Sequence, residues 1–243
     1  MKLITLNIWG GHVRKPLLEF ISNYSDVDIF CLQEVYHNAP NRISTDEREI
    51  GLNIFNDLHR LLPDHTAFFR PVVQNVFGIG MFVKNNIQVI AEGDIEIYNN
   101  PEYTGLGPKH HRNLQWLKCK VRNTNYSIVN VHGLWNGMGK TDTEERLLQS
   151  AKIKAFMDTL DTPKILCGDL NLKPDTQSLK ILEEGMINQI AINNIKSTRS
   201  VQYYPKAERF ADYIFTSKDI HVNSFKVLPD EVSDHLPLFL DFS

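Results

Sequence analysis

Lys164-Ile-Leu-Cys-Gly-Asp-Leu-Asn171 runs from three apolar residues through a glycine to a carboxylate and a carboxamide. Ile165, Leu166 and Cys167 read as a short buried strand, and Gly168 lets the backbone turn sharply at its end. Asp169 and Asn171 stand two residues apart, so strand periodicity points them the same way. A carboxylate accepts a proton and a carboxamide donates a hydrogen bond; together they can hold a water and an anionic oxygen. Asp, Asn and Gly also punctuate ordinary turns, so this stretch alone leaves both readings open.

On its N-terminal side, Asp161-Thr-Pro163 stops a helix that reaches back to a capping box at Thr141-Asp-Thr-Glu144, with Leu148, Ala151 and Ala155 as the expected buried stripe. Before that helix, Leu114–Val121 and Tyr126–Trp135 alternate around Asn123-Thr-Asn125 as a hairpin. The second of these strands places His132 just ahead of a glycine, where a lone histidine is ordinarily a hydrogen-bonded structural residue. On the C-terminal side, Pro174 and Asp175 open a short helix that Gly185 ends. Ile187–Lys206 has no dominant period; it holds Arg199, Tyr203 and Tyr204, which suit either a ligand or a plain surface loop. Asp212 opens the strand Ala211–Thr216, and after the strand His221–Val227 the pair Asp234-His235 precedes an apolar terminal strand. Neighbouring strand residues face opposite ways, so that pair serves one site only if the backbone turns there.

The N-terminal third repeats the theme. Leu3–Trp9 is a strand with Asn7 near its end, His12–Tyr24 carries Leu17, Leu18, Ile21 and Tyr24 at helical spacing, and Asp28–Val35 is a strand covered on both faces. Glu34 closes that strand, and a charge there is costly unless it meets water, a partner or a cation. Thr45–Leu62 reads as a helix with Ile50, Ile54, Leu58 and Leu61 on one stripe. Thr66–Arg70, Gly78–Val83 and Ile87–Ala91 read as strands, and Tyr98–Asn113 as a long irregular segment. Its basic cluster Lys109-His-His-Arg112 fits a rim for a phosphate-rich substrate or a solvated loop.

The 243 residues carry 26 Lys and Arg against 29 Asp and Glu, a formal net charge of −3 that excludes nucleic-acid binding by bulk electrostatics. No Pro-, Gly- or Ser-rich linker interrupts the chain, so one α/β domain over residues 1–243 is expected. Cys31, Cys119 and Cys167 are odd in number and set among apolar residues, as reduced core cysteines are. With no signal-peptide pattern and no run long enough to span a membrane, a cytoplasmic setting is the expectation.

Asn7, Glu34, His132, Asp169, Asn171, Asp212, Asp234 and His235 thus all fall at ends of expected buried strands. The set resembles the endonuclease/exonuclease/phosphatase superfamily, whose patterns stand here in order as Leu6-Asn7-Ile8, Leu32-Gln-Glu-Val35, Asn130-Val-His132, Gly168-Asp-Leu-Asn171, Asp212-Tyr-Ile-Phe215 and Ser233-Asp-His235. The resemblance implies a four-layer α/β sandwich, two mixed β-sheets packed face to face with helices on the outer sides. It implies a metal-dependent hydrolase of phosphate esters: Glu34, Asn7 and Asp234 holding Mg²⁺ or Mn²⁺, Asp169 orienting or deprotonating the attacking water, and Asn171 donating to that water or a phosphate oxygen. His235 would bind the phosphoryl group, with Asp212 fixing its ring and favouring its charged form, and His132 would bind phosphate or protonate the leaving oxygen. Two departures stand out: Phe210 occupies the place of a basic residue two before Asp212, with Arg209 one earlier, and His132 is followed by Gly-Leu-Trp135.

Three substrate readings follow. A nuclease or nucleic-acid phosphodiesterase acting on DNA or RNA would use Lys109, Arg112 and Arg199 as a basic rim. An enzyme for a small or lipid-linked phosphate would use Trp135 and Trp9 as pocket aromatics. A non-catalytic nucleic-acid-binding module would keep the fold and lose the chemistry, which the complete set of polar residues argues against.

Overall fold

A computed structural model describes residues 1–39, 52–103 and 109–243 of the chain. The N-terminal part runs β1 (Lys2–Asn7), a 3-10 turn at Trp9–Gly11, α1 (Arg14–Asn23), β2 (Ile29–Tyr36), α2 (Ile54–Leu61), β3 (His65–Val73), β4 (Phe77–Lys84) and β5 (Gln88–Tyr98). β6 (Arg112–Val121), β7 (Thr124–His132), α3 (Glu144–Thr159), β8 (Lys164–Asp169), α4 (Gln177–Glu183) and β9 (Met186–Asn188) follow. The chain continues with α5 (Gln189–Ile192), β10 (Asp212–Ser217), β11 (Val222–Val227) and β12 (Leu238–Phe242). Two mixed six-stranded sheets result, ordered β11-β12-β1-β2-β4-β3 and β5-β6-β7-β8-β10-β9. Stacked with helices outside, they form a four-layer α/β sandwich.

The near-continuous apolar runs of the central strands follow from cover on both faces. In β1 and β2, Leu3, Ile29 and Cys31 look toward the second sheet, while Ile4, Leu6, Phe30 and Leu32 pack under Leu17, Phe20 and Ile21 of α1 and Ile54, Phe55 and Leu58 of α2. In β8, Cys167 looks inward and Leu166 turns outward beside Met157 of α3 and Leu182 of α4. All three cysteines are free and buried.

Near the site the inner layer turns polar. Gln33 Nε2 donates to Asn130 Oδ1 at 2.7 Å and Thr5 Oγ1 at 3.0 Å, and Asn130 Nδ2 reaches the carbonyls of Leu32 and Gly80 at 3.2 and 3.3 Å. Buried amides are tolerated only when so paired, and this set ties one sheet to the other.

Several expectations are corrected. On α3, Leu148 is 58% exposed and Ala151 and Ala155 face solvent; Arg146, Gln149, Ser150, Ile153 and Met157 are buried instead. Hydrogen bonds offset part of that polar burial: Arg146 donates to the carbonyls of Leu134 and Thr141, and Gln149 Oε1 accepts from the Leu134 amide, while Ser150 Oγ and Arg146 Nη2 have no hydrogen-bond partner among the described residues. The Tyr98–Asn113 stretch is strand at both ends, since β5 extends to Tyr98 and β6 begins at Arg112. β7 stops at His132 rather than Trp135. Of the helix expected over Thr45–Leu62, only Ile54–Leu61 is seen as α2, and Ile50 lies outside the described residues.

Candidate active site

Each sheet has one parallel pair at its centre, β1 with β2 and β7 with β8, so the C-terminal ends of all these strands meet at one edge of the sandwich. That edge carries Asn7, Glu34, His132 and Asp169. β10 runs antiparallel to β8 and places Asp212 opposite Asp169. His235 lies in the irregular segment before β12, paired by an isolated bridge to Arg199, so Asp234 and His235 do sit where the backbone turns.

Local backbone irregularities aim the side chains. Alternation would send Glu34 to the helix side, but the β2–β4 register shifts between Leu32 and Val35 and Glu34 adopts φ +56°, which swings its carboxylate into the site. Gly168 has φ +131°, and a Cβ there would lie 2.1 Å from the Val131 carbonyl oxygen, so only glycine lets β8 lie this close to β7 beside Asp169. Asn171 also has positive φ, +53°, and its amide donates to Asp169 Oδ1 at 2.8 Å. A turn, rather than strand periodicity, therefore brings Asn171 alongside Asp169.

Asn7 Nδ2 donates to Glu34 Oε1 and to Asp169 Oδ2, both at 2.9 Å, while its Oδ1 accepts from the Trp9 amide at 2.9 Å. One carboxamide thus bridges carboxylates from both sheets. Arg112 donates to His132 Nδ1 at 2.9 Å, which puts the proton of the neutral ring on Nε2, facing Glu34 at 3.7 Å and Asp169 at 3.8 Å. His235 Nδ1 donates to Asp212 at 2.8 Å, and Thr198 Oγ1 holds Asp212 from behind at 3.0 Å. His235 Nε2 stands 3.6 Å from Asp169 and accepts from Arg199, whose other terminal nitrogen pairs with Asp234.

Burial, with Asp234 and Asp169 close by, pushes the Glu34 carboxyl up to about 7 despite the Asn7 hydrogen bond. Burial likewise raises Asp212 to about 7. His132 is held well below the usual imidazole range by burial and the Arg112 guanidinium. His235 falls to about 3 through burial and the Arg199 guanidinium. Asp212 accepts from the His235 ring, while burial and Arg199 depress the ring's pKa against the opposing effect of Asp234 and Asp169.

The side chains line a cleft of about 380 Å³. Trp9, Arg112, Trp135 and Arg199 reach it along with Glu34, His132, Asp169, Asn171, Asp234 and His235. Asn7 and Asp212 lie directly behind. Lys109 is exposed and does not line the cleft. Lys140, Lys206, Tyr36, Phe77 and His110 join it without having been singled out from sequence. Lys140 carried no local signal, being one lysine in a polar loop; His110 sat in the basic cluster already noted. Glu34, His132 and Asp169 bring one ligand atom each within 4.8 Å of one another, as do Asp169, Asp212 and His235. The donor set suits a hard divalent cation: carboxylate oxygens crowd together closely enough to raise one another's pKa, and a cation relieves that repulsion.

The sequence profile described as the Endonuclease/Exonuclease/phosphatase family matches residues 4–235. Among solved structures, a mannosyl-6-phosphatase of Bacteroides thetaiotaomicron superposes with a TM-score of 0.77 at 18% identity, covering 100% of this chain and 99% of that one. The human Nocturnin catalytic domain with bound sulfate gives 0.73 at 21% identity, covering 100% and 94%. A humanized Danio rerio TDP2 gives 0.74 at 15% identity, covering 100% and 98%. At these identities the likeness is one of fold. No curated protein sequence matches the chain significantly.

Proposed function

The chain belongs to the endonuclease/exonuclease/phosphatase family, whose members are generally hydrolytic on phosphate esters, and from that premise we propose that its cleft hydrolyses phosphodiesters of nucleic acid. One observation carries the reading. The cleft that holds the bridged Glu34, Asn7 and Asp169 is lined by the half-buried Trp9 and Trp135 and by Lys140, Arg199 and Lys206, while Tyr36 and Phe77 contribute edges of the buried core. Aromatic faces accept bases by stacking and cations accept the phosphates between them.

Glu34, with Asp234, would hold Mg²⁺ or Mn²⁺, which when bound neutralises phosphoryl oxygens and stabilises the leaving oxygen; Asn7, whose Nδ2 faces Glu34, would orient that carboxylate rather than ligate the cation. Asp169 is 1% exposed, and each of its oxygens accepts one fixed hydrogen bond, from Asn171 and from Asn7. That leaves lone pairs aimed at the cleft by a carboxylate that cannot rotate, the arrangement a general base needs. Asp169 takes a proton from the attacking water as the new P–O bond forms, and Asn171 orients that water. His132, neutral with its proton on Nε2, donates a hydrogen bond to a phosphoryl or leaving oxygen, and the leaving oxygen takes its proton from solvent. His235, held by Asp212, meets the phosphoryl group once Nε2 takes a proton from solvent in place of the Arg199 hydrogen bond, a change that the arriving anion favours.

The modest cleft volume and the net charge of −3 favour a second reading, a small phosphate ester. Product analysis separates the two. The purified protein is incubated with Mg²⁺ or Mn²⁺ and labelled DNA, RNA, phosphomonoesters or phospholipid head-group diesters, with Asp169→Asn as control. Polynucleotide cleavage lost in the control supports the nucleic-acid reading. Turnover restricted to small or lipid-linked phosphates overturns it in favour of the second.

A further inference from the structure

The flank of the cleft beyond His235 has an organisation of its own. Arg199 Cζ lies 3.7 Å from the centroid of the Tyr204 ring, Lys206 Nζ 5.2 Å and Lys140 Nζ 5.5 Å. Cations over one ring are held by its negative face, which pre-positions them. Lys140 is only 2% exposed, yet its ammonium has three donors and one protein acceptor among the described residues, the Phe210 carbonyl at 3.0 Å. Arg199 is 4% exposed, and its Nε is buried with no hydrogen-bond partner among the described residues. Lys206 stands exposed at the rim and forms no ion pair among the described residues.

The segment bearing these groups is fixed from behind. Arg209 donates to the carbonyls of Arg199 at 3.0 Å and Tyr204 at 3.2 Å. Glu208 accepts from the Tyr204 hydroxyl at 3.4 Å and lies 4.0 Å from Lys173, so it anchors the far end of the ring. The wall opposite has its own cation, Arg112, which is occupied in holding His132. Arg199 is likewise shared, its terminal nitrogens bound to His235 and Asp234, so the cationic donors left over on this flank are those of Lys140 and Lys206.

We propose that Lys140, Arg199 and Lys206, arranged around Tyr204, form a second anion subsite, and that the substrate carries a second phosphate group beside the one that reacts. The inference rests on the phosphate-ester reading of the cleft. The shared chemistry is a pair of phosphates a few bonds apart, supplied by neighbouring nucleotides or by a bisphosphorylated small molecule.

Two measurements test it on the full chain. In metal-free buffer, calorimetry compares propane-1,3-bisphosphonate with propylphosphonate on wild type, Lys206→Met and Lys140→Met. Wild type is expected to prefer the bisphosphonate by about tenfold or more, the scale of one charge-assisted hydrogen bond, and each variant to lose most of that preference. With Mg²⁺ or Mn²⁺, the ratio of kcat/KM for two-phosphate over one-phosphate esters should fall in the same variants. A nucleoside 3′,5′-bisphosphate and a hexose 1,6-bisphosphate in this arm identify the source. Lys206 is exposed, so Lys206→Met folds even if Lys140→Met does not. No bisphosphonate preference in wild type, or one unchanged in Lys206→Met, overturns the subsite. Preference without turnover of any ester leaves the subsite standing and sinks the hydrolase reading.

Discussion

Gly168→Ala subjects the packing of β7 on β8 to a quantitative test. The residue sits at φ +131°, a region essentially restricted to glycine, where an alanine costs about 1–3 kcal/mol. The new Cβ would also lie 2.1 Å from the Val131 carbonyl oxygen and 3.0 Å from its carbon. Carbon and oxygen rest at roughly 3.3 Å or more, so the strands must part by about 1 Å, an overpacking worth about 1–3 kcal/mol. Together the two effects come to about 4 kcal/mol, a melting temperature lower by roughly 10 °C in a chain of this size. The parting occurs one residue from Asp169 and its neighbour His132, and misplacement on that scale costs about 10²-fold in turnover. Gly137→Ala is the control: it too has positive φ, +80°, but a Cβ there meets nothing within 4 Å, so only about 1 kcal/mol is lost. Thermal denaturation followed by circular dichroism reads both variants, with kcat/KM alongside. If Gly168→Ala melts within about 2 °C of wild type, or no lower than Gly137→Ala, the close approach does not constrain the site.

Gln33→Leu should destabilise by about 1–3 kcal/mol in urea unfolding, since it strands the Asn130 carbonyl oxygen in the core; adding Asn130→Leu should recover part of the loss. His65 is buried, donates Nε2–H to the Val27 carbonyl at 2.8 Å, and is held below its ordinary pKa by burial. The unfolded chain therefore binds a proton that the folded one resists, so stability falls as pH drops below about 6.5, and His65→Gln should lose less between pH 8 and pH 5 in the same assay. Mg²⁺ or Mn²⁺ should raise the melting temperature of wild type and not of Glu34→Gln, with chelation abolishing turnover; an equal rise in both places the cation elsewhere. Arg209→Ala frees the carbonyls of Arg199 and Tyr204 and should lower kcat/KM about tenfold with its main effect on KM, whereas an effect confined to stability would make Arg209 a scaffold residue only.

The central strands were readable because burial on both faces leaves an unmistakable apolar run, and polar residues closing such runs mark a shared edge. β1, β2, β7 and β8 were found that way, and with them Asn7, Glu34, His132 and Asp169. What escaped depended on hydrogen bonds between parts of the chain far apart in sequence. Arg146 and Gln149 are buried because the loop at Leu134 and Thr141 needs their polar atoms, and no hydrophobic period registers such a need. The bulge that turns Glu34 inward is equally silent, since alternation alone sends that residue to the wrong face. Lys140 and Lys206 join the cleft only once the segment 199–206 folds against it. The depressed pKa of His235 follows from burial and from Arg199, a neighbour 36 positions away in sequence.

The place of β12 between β11 and β1 has a consequence for synthesis on the ribosome. β1 is made well before β12, yet one of its edges pairs with β12, Lys2 opposite Asp241 and Thr5 opposite Leu238. Throughout elongation that edge is an unpaired row of amides and carbonyls, open to pairing with other chains. His235 and Asp234 emerge just ahead of the strand that closes it, so a nascent chain completes its first sheet and its cleft in the same step. A chain that lacks β12 thus has an incomplete cleft and its most aggregation-prone edge together, and the docking of β12 ends both conditions at once.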